Sequence, residues 1–105
     1  MKHDKFLPKS VLVDGTYYKG SCRNAEAAVW DAEHNLFWYI RSKFGDHFPE
    51  DICHPEDDNG YDLFYPFETT LPTEEEKVDL VSVKKSHRDL LIKRAEWKKK
   101  NESRS

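Results

Sequence analysis

Residues 36–67, LFWYIRSKFGDHFPEDICHPEDDNGYDLFYPF, hold nine of the chain's fourteen aromatic side chains. Aromatic rings bring the largest apolar area per residue, so any small domain made from this chain has to build its core around that stretch. The full length of 105 residues allows one such core and one domain. Apolar residues make up only 37% and charged residues 35%, a polar balance for a folded chain. The density of rings compensates for it and argues against disorder over residues 11–67.

Residues 1–10 read as a polar lead-in in which Phe6 and Leu7 can dock on the core. The run VLV, Asp14-Gly15 and TYY then predicts a hairpin, because Asp-Gly supplies the two positive φ angles of a type I′ turn. Residues 24–45 admit two readings. As a helix, Asn24 is the N-cap, Gly45 follows the end, and Ala25, Ala28, Val29, Ala32, Leu36, Tyr39 and Ile40 share one face. As a hairpin, Ala28 to Trp30 and Leu36 to Arg41 flank the turn DAEHN, with Leu36, Trp38 and Ile40 on one face and Phe37, Tyr39 and Arg41 on the other. The aromatic density also predicts that Trp30 and Trp38 are mostly buried. Residues 48–53 suit an edge strand, since Pro49 removes a ladder donor. Asn59-Gly60 marks a turn, and residues 61–67 alternate as a strand does. Pro72 and the Thr73-x-x-Glu76 capping box open a predicted amphipathic helix over 73–98, carrying Leu80, Val83, His87, Leu90, Leu91 and Trp97. Residues 78–83 can also be read as a strand, with a shorter helix capped at Ser86. Residues 99–105 form a frayed basic tail.

The segments YYKGSCRNAEAAVWD, FWYIRSKFG and ICHPEDDNGYDLFYPF together resemble small uncharacterised proteins encoded by bacteriophages and mobile elements. The resemblance covers about half of the chain, residues 17–67. In those proteins the segment between the counterparts of Trp30 and Phe37 varies in length, as a hairpin turn does, and this tips residues 24–45 to the hairpin. No established activity comes with the resemblance, so it assigns no functional residue. The expected fold class is α+β. A small antiparallel, partly closed sheet of four to six strands spans 11–72, and a C-terminal helix follows.

Charge is divided unevenly. Residues 84–105 carry nine Lys/Arg against three Asp/Glu, or +6, so the first 83 residues hold −9 of the net −3. Only the basic end can attract nucleic acid or an acidic partner. Two cysteines, Cys22 and Cys53, fit a reduced cytoplasmic protein better than a disulfide scaffold. No apolar run is long enough to span a membrane, and residues 1–10 lack the apolar segment of a signal peptide.

Chemistry-bearing patterns are weak. His34, His47, Cys53, His54 and Cys22 have the right types for zinc, but none of the paired spacings. Cys53 is therefore expected in the core and His54 on the surface. The acidic run around Asn59-Gly60 fails as a calcium loop, because aligning Gly60 with the loop glycine puts prolines at its first and twelfth positions. Glycine loops for phosphate are missing, and no nucleophile has a local signature. No metal, cofactor or catalytic residue is assigned, and the expectation is a non-enzymatic binding protein that occupies a partner protein or a small anionic ligand. Its candidate contacts are Glu56, Asp57, Asp58, Tyr61, Phe64 and Tyr65. If the resemblance carries, the partner is a host or defence factor, by association alone. The alternative is a nucleic-acid accessory protein acting through Lys93, Arg94, Lys98, Lys99 and Lys100. A homodimer through the C-terminal helix is also expected, because that helix offers more apolar face than docking on one small sheet needs.

Overall fold

A computed structural model describes residues 6–22, 25–41, 48–57 and 63–102. Five strands are present: β1 Tyr17–Ser21, β2 Ala27–Asp31, β3 Leu36–Arg41, β4 Phe48–Ile52 and β5 Tyr65–Thr69. They form one antiparallel sheet in the order β4-β3-β2-β1-β5, followed by a single helix, α1, Leu80–Glu102. The fold class is α+β. The sheet is open rather than partly closed: the edge strands β4 and β5 do not pair with each other. Each carries a proline, Pro49 and Pro66, which has no ladder N–H to offer a further strand. A parallel bridge from Cys53 to Leu63 links the segments that flank them.

Residues 27–41 form the hairpin, not the helix. Asp31 pairs with Leu36 across a turn in which Asn35 takes a left-handed φ of 62°. The turn is locked by Asp31, whose Oδ1 accepts the backbone N–H groups of Glu33 (3.0 Å) and His34 (3.2 Å). Such a short acceptor folding back on its own backbone favours a turn over a continuing helix. Arg23, Asn24 and residues 42–47, which include Gly45, lie outside the described residues.

All five residues of the central strand β2 are buried, because both faces of the sheet are covered. On one face Tyr18, Ala28, Trp30, Phe37, Tyr39, Ile52 and Phe64 form an aromatic core. Phe37 lies at its centre, 4.8 Å from the ring centroids of both Trp30 and Phe64. On the other face Val29 and Trp38 pack against Val78 and Val83, with Leu36, Ile40 and Leu80 at the margin. The alternation expected for β3 is therefore the one observed, and both tryptophans are inside.

The Asp14-Gly15 turn exists, but it joins no hairpin. Thr16 donates to the Val13 carbonyl (3.1 Å), and of the two central residues only Gly15 has a positive φ, 82°. That is the type II pattern; a type I′ turn needs both. Residues 9–11 form a 3-10 turn, and Val11 and Val13 are exposed. No strand can form there against β1, because β2 and β5 already occupy both of its edges.

The helix begins at Leu80, seven residues later than the capping box suggests. Half of that box is made, with Glu76 accepting from the Thr73 N–H at 3.0 Å, but it closes a single turn at 74–76. The cause is Tyr17. Its hydroxyl accepts the Val78 N–H (2.7 Å) and donates to the Val78 carbonyl (3.2 Å), holding Val78 in the core and out of a helical ladder. Asp79 then caps α1, taking the Ser82 N–H on Oδ1 at 3.2 Å. The alternative strand over 78–83 does not form, and the helix runs on to Glu102.

Candidate functional site

Helix α1 packs on the sheet through Val83, and polar contacts anchor it near the turn end of the β2–β3 hairpin. Lys84 Nζ lies 2.8 and 2.9 Å from the two carboxylate oxygens of Asp14 and 3.7 Å from Asp31 Oδ1. One turn on, the His87 ring meets His34 edge-on at 4.5 Å and Trp38 at 5.7 Å. Arg88 Nε then reaches Glu33 Oε2 at 3.2 Å. Beneath these contacts Asp31 is fully shielded from solvent. Its Oδ2 accepts from His34 Nδ1 (2.8 Å) and from the Trp38 indole N–H (3.0 Å). Burial pushes the Asp31 carboxyl up, but the hydrogen bonds from His34, Trp38 and the His34 backbone outweigh it and hold the group below the usual carboxylate range. Asp14 is held low as well, first by Lys84 and then by the Ala32 N–H, while Asp14 raises Lys84 in return.

A carboxylate behind a histidine is the pattern that activates nucleophiles. Here the far nitrogen of His34 lies 3.4 Å from Glu33 Oε2, so the imidazole sits between two carboxylates and serves the turn. Among the described residues no group of three or more His, Cys, Asp or Glu is placed to hold a metal ion.

Of the acidic and aromatic candidates, Glu56, Asp57, Phe64 and Tyr65 lie among the described residues. Glu56 and Asp57 form a 3-10 turn that is engaged within the chain: Asp57 pairs with Lys9 Nζ and accepts from Asn35 Nδ2 at 3.4 Å, and Glu56 Oε2 accepts from the Lys9 backbone at 3.5 Å. Phe64 is wholly buried and belongs to the core, so it offers no surface to a ligand. Tyr65 is half-buried with its ring edge-on to Phe6 at 5.6 Å. Asp58 and Tyr61 lie outside the described residues.

The expectation for Cys53 and His54 is reversed. Cys53 is half-buried, and His54 is completely inside. His54 donates from Nε2 to the Leu7 carbonyl (2.9 Å) and accepts the Glu56 N–H on Nδ1 (3.0 Å). With both ring nitrogens satisfied, the imidazole can be buried at little cost. Its ring packs against Phe6 and Phe37, so it clamps the lead-in segment to the core. Leu7 adds a backbone bond to the Pro66 carbonyl at 2.7 Å, which docks the lead-in as its apolar pair suggests.

What remains open is the far half of α1. A helix of 23 residues is about 35 Å long, more than the hairpin end can cover. From position 88 to position 100 every side chain is exposed. The stripe that buries Val83 continues at seven-residue spacing into Leu90 and Trp97, which are 43% and 70% exposed. Leu91 and Ile92 are exposed as well, at 44% and 56%, with Ile92 on the opposite side of the helix from Leu90. Lys93, Arg94, Lys98, Lys99 and Lys100 surround these apolar side chains, and all five are exposed. The structure thus brings the basic candidates together on one projecting, partly apolar rod. Sequence reading missed the Asp31–His34–Trp38–His87 cluster that aims this rod; the available signal was the Asp-x-x-His spacing ahead of an aromatic run.

Compared with protein-family models, curated proteins and solved structures, the chain matches none.

Proposed function

We propose that this protein is a non-enzymatic binding protein that occupies a partner protein through the projecting half of α1. The observation that carries this reading is the continuation of the core stripe beyond the sheet into exposed Leu90 and Trp97, among five basic side chains and with Leu91 and Ile92 exposed on other sides of the helix. An amphipathic helix laid into a partner's groove is a common recognition mode, and Trp and Arg are the side chains in which interface energy concentrates. The surrounding lysines and arginine favour an acidic partner. The polar clusters elsewhere support a non-catalytic role: Asp31, His34 and His54 direct their hydrogen bonds to the fold itself. The resemblance to proteins of phages and mobile elements attaches a host or defence factor to this reading, by association alone. In line with an aqueous setting, no helix among the described residues is long and apolar enough to cross a membrane.

A second reading, nucleic-acid binding by the same basic side chains, is favoured by their exposure and opposed by the −9 carried on the first 83 residues. One experiment separates the two. The protein, a Leu90→Gln/Trp97→Gln variant and a variant with Lys93, Arg94, Lys98, Lys99 and Lys100 changed to Gln are compared in capture from the source cells. They are also compared in titrations with mixed DNA and RNA at about 50 and 200 mM salt. A partner protein lost with Leu90 and Trp97, together with no tight nucleic-acid binding, is the expected result. Sub-micromolar binding to DNA or RNA that falls steeply with salt and disappears in the Gln variant would overturn the choice.

A further inference from the structure

We infer that the surface complementary to the projecting half of α1 is carried by a second copy of this chain, on residues 68–79. The inference rests on the reading of that half-helix as a protein-docking surface.

The two segments are matched in charge and in apolar content. Residues 93–100 carry five basic side chains and one acidic, a balance of +4. Residues 68–79 carry five acidic and one basic, a balance of −4. Each also strands apolar surface in water. Leu71 is 91% exposed in the acidic segment, with Phe67 exposed just before it; Trp97 is the counterpart in the basic one. The helix dipole favours acidic groups before the first turn and basic groups in the last, but it gives no account of exposed Leu71 and Trp97.

Within one chain these segments are held apart. Residues 68–79 end where α1 starts, and α1 is a stiff rod whose Trp97 lies about 26 Å along its axis from Leu80. Two such rods laid antiparallel bring each basic end beside the other copy's acidic segment. The contact is made twice about one two-fold axis, so the assembly closes as a dimer. The exposed Leu90 and Leu91 then fall between the two charged ends. A heterologous target would compete with the second copy for the same helix.

The test is a charge exchange, read by sedimentation velocity on the full chain. One variant carries Lys98→Glu and Lys99→Glu, the other Glu74→Lys and Glu75→Lys. All four side chains are exposed, and Glu74 makes a surface ion pair with Lys77. Circular dichroism verifies that both variants fold. The wild-type chain is expected to dimerise at micromolar concentration and to dissociate more readily in high salt. Each variant alone should associate at least about tenfold more weakly, and an equimolar mixture should recover the heterodimer, because one of its contacts keeps the wild-type charges and in the other the exchanged positions again oppose each other in sign. A wild-type monomer at about 100 μM, a dimer indifferent to both variants, or a mixture that stays monomeric would each overturn the inference. A monomeric chain whose partner capture still depends on Leu90 and Trp97 would leave the docking surface standing. A chain indifferent to those two positions in every assay would remove the docking surface as well.

Discussion

Replacing Asp31 with Ala is expected to destabilise the fold by about 3–5 kcal/mol, the range for removing one partner from a buried charged network. The substitution leaves four donors without their acceptor: the Trp38 indole N–H, His34 Nδ1 and the backbone N–H groups of Glu33 and His34. Lys84 and His87 lose the floor on which the first half of α1 is anchored. Asp31→Asn should recover part of the loss, because its amide oxygen can still serve the backbone of the turn, whereas its NH2 group would face the Trp38 donor. The same network has a signature in acid. Asp31 titrates lower in the folded chain than in the unfolded one, so its stabilisation is complete above the usual carboxylate range and is lost as the pH falls through the depressed value. Asp14 acts in the same direction. Urea unfolding at pH 7 and at successively lower pH should show the wild-type chain losing stability in acid, and Asp31→Ala with a visibly flatter dependence. Equal acid slopes for the two would remove Asp31 from this role.

Phe64→Ala should cost a further large amount, about 3–5 kcal/mol, as truncations of fully buried aromatic rings do. Phe64 has no exposed surface and packs against Phe37 on the aromatic face. Its seat depends on Gly20: a Cβ there would lie 2.6 Å from the Phe64 ring and 2.4 Å from the Tyr65 carbonyl oxygen. The ring therefore fills a space that β1 leaves open by having no side chain at this position, next to a register shift between Lys19 and Gly20. Because domains of this size are typically stable by only about 5–15 kcal/mol, the Ala variant is expected to lose a large share of its stability and to unfold well below the wild-type midpoint. Phe64→Leu should remain folded. A Phe64→Ala protein with wild-type stability and altered binding would instead return this residue to the surface.

The sequence made the core legible because its signals are local and redundant. Alternation in Leu36 to Arg41 and the ring density of the following stretch predict both faces of β3, and the structure keeps both. Contacts between distant positions were not legible. The Tyr17 hydroxyl displaces the start of α1 from sixty-one residues away, and nothing near Thr73 signals that. His54 stands beside a proline and an acidic run, the setting of a surface residue, yet Leu7 and Glu56 satisfy both its nitrogens inside the core. Glu56 and Asp57 looked available for a ligand because Lys9, which engages them, lies 47 and 48 residues earlier. The basic half of α1 could be read in outline, since the stripe from Val83 through Leu90 to Trp97 is periodic. Only the fold shows where cover ends, after His87, the last half-buried side chain of α1 among the described residues.

The central claim is that α1 is divided in function, its first half serving the fold and its second half a partner. Leu90→Gln/Trp97→Gln tests it most directly, with thermal unfolding and sedimentation read on the same sample. Both positions are exposed, and Gln is a good helix former, so the account predicts an unfolding midpoint within about a degree or two of wild type, as for surface substitutions. Self-association should be lost in that same sample. A midpoint lowered by many degrees with association intact would contradict the account, because Leu90 and Trp97 would then belong to the core.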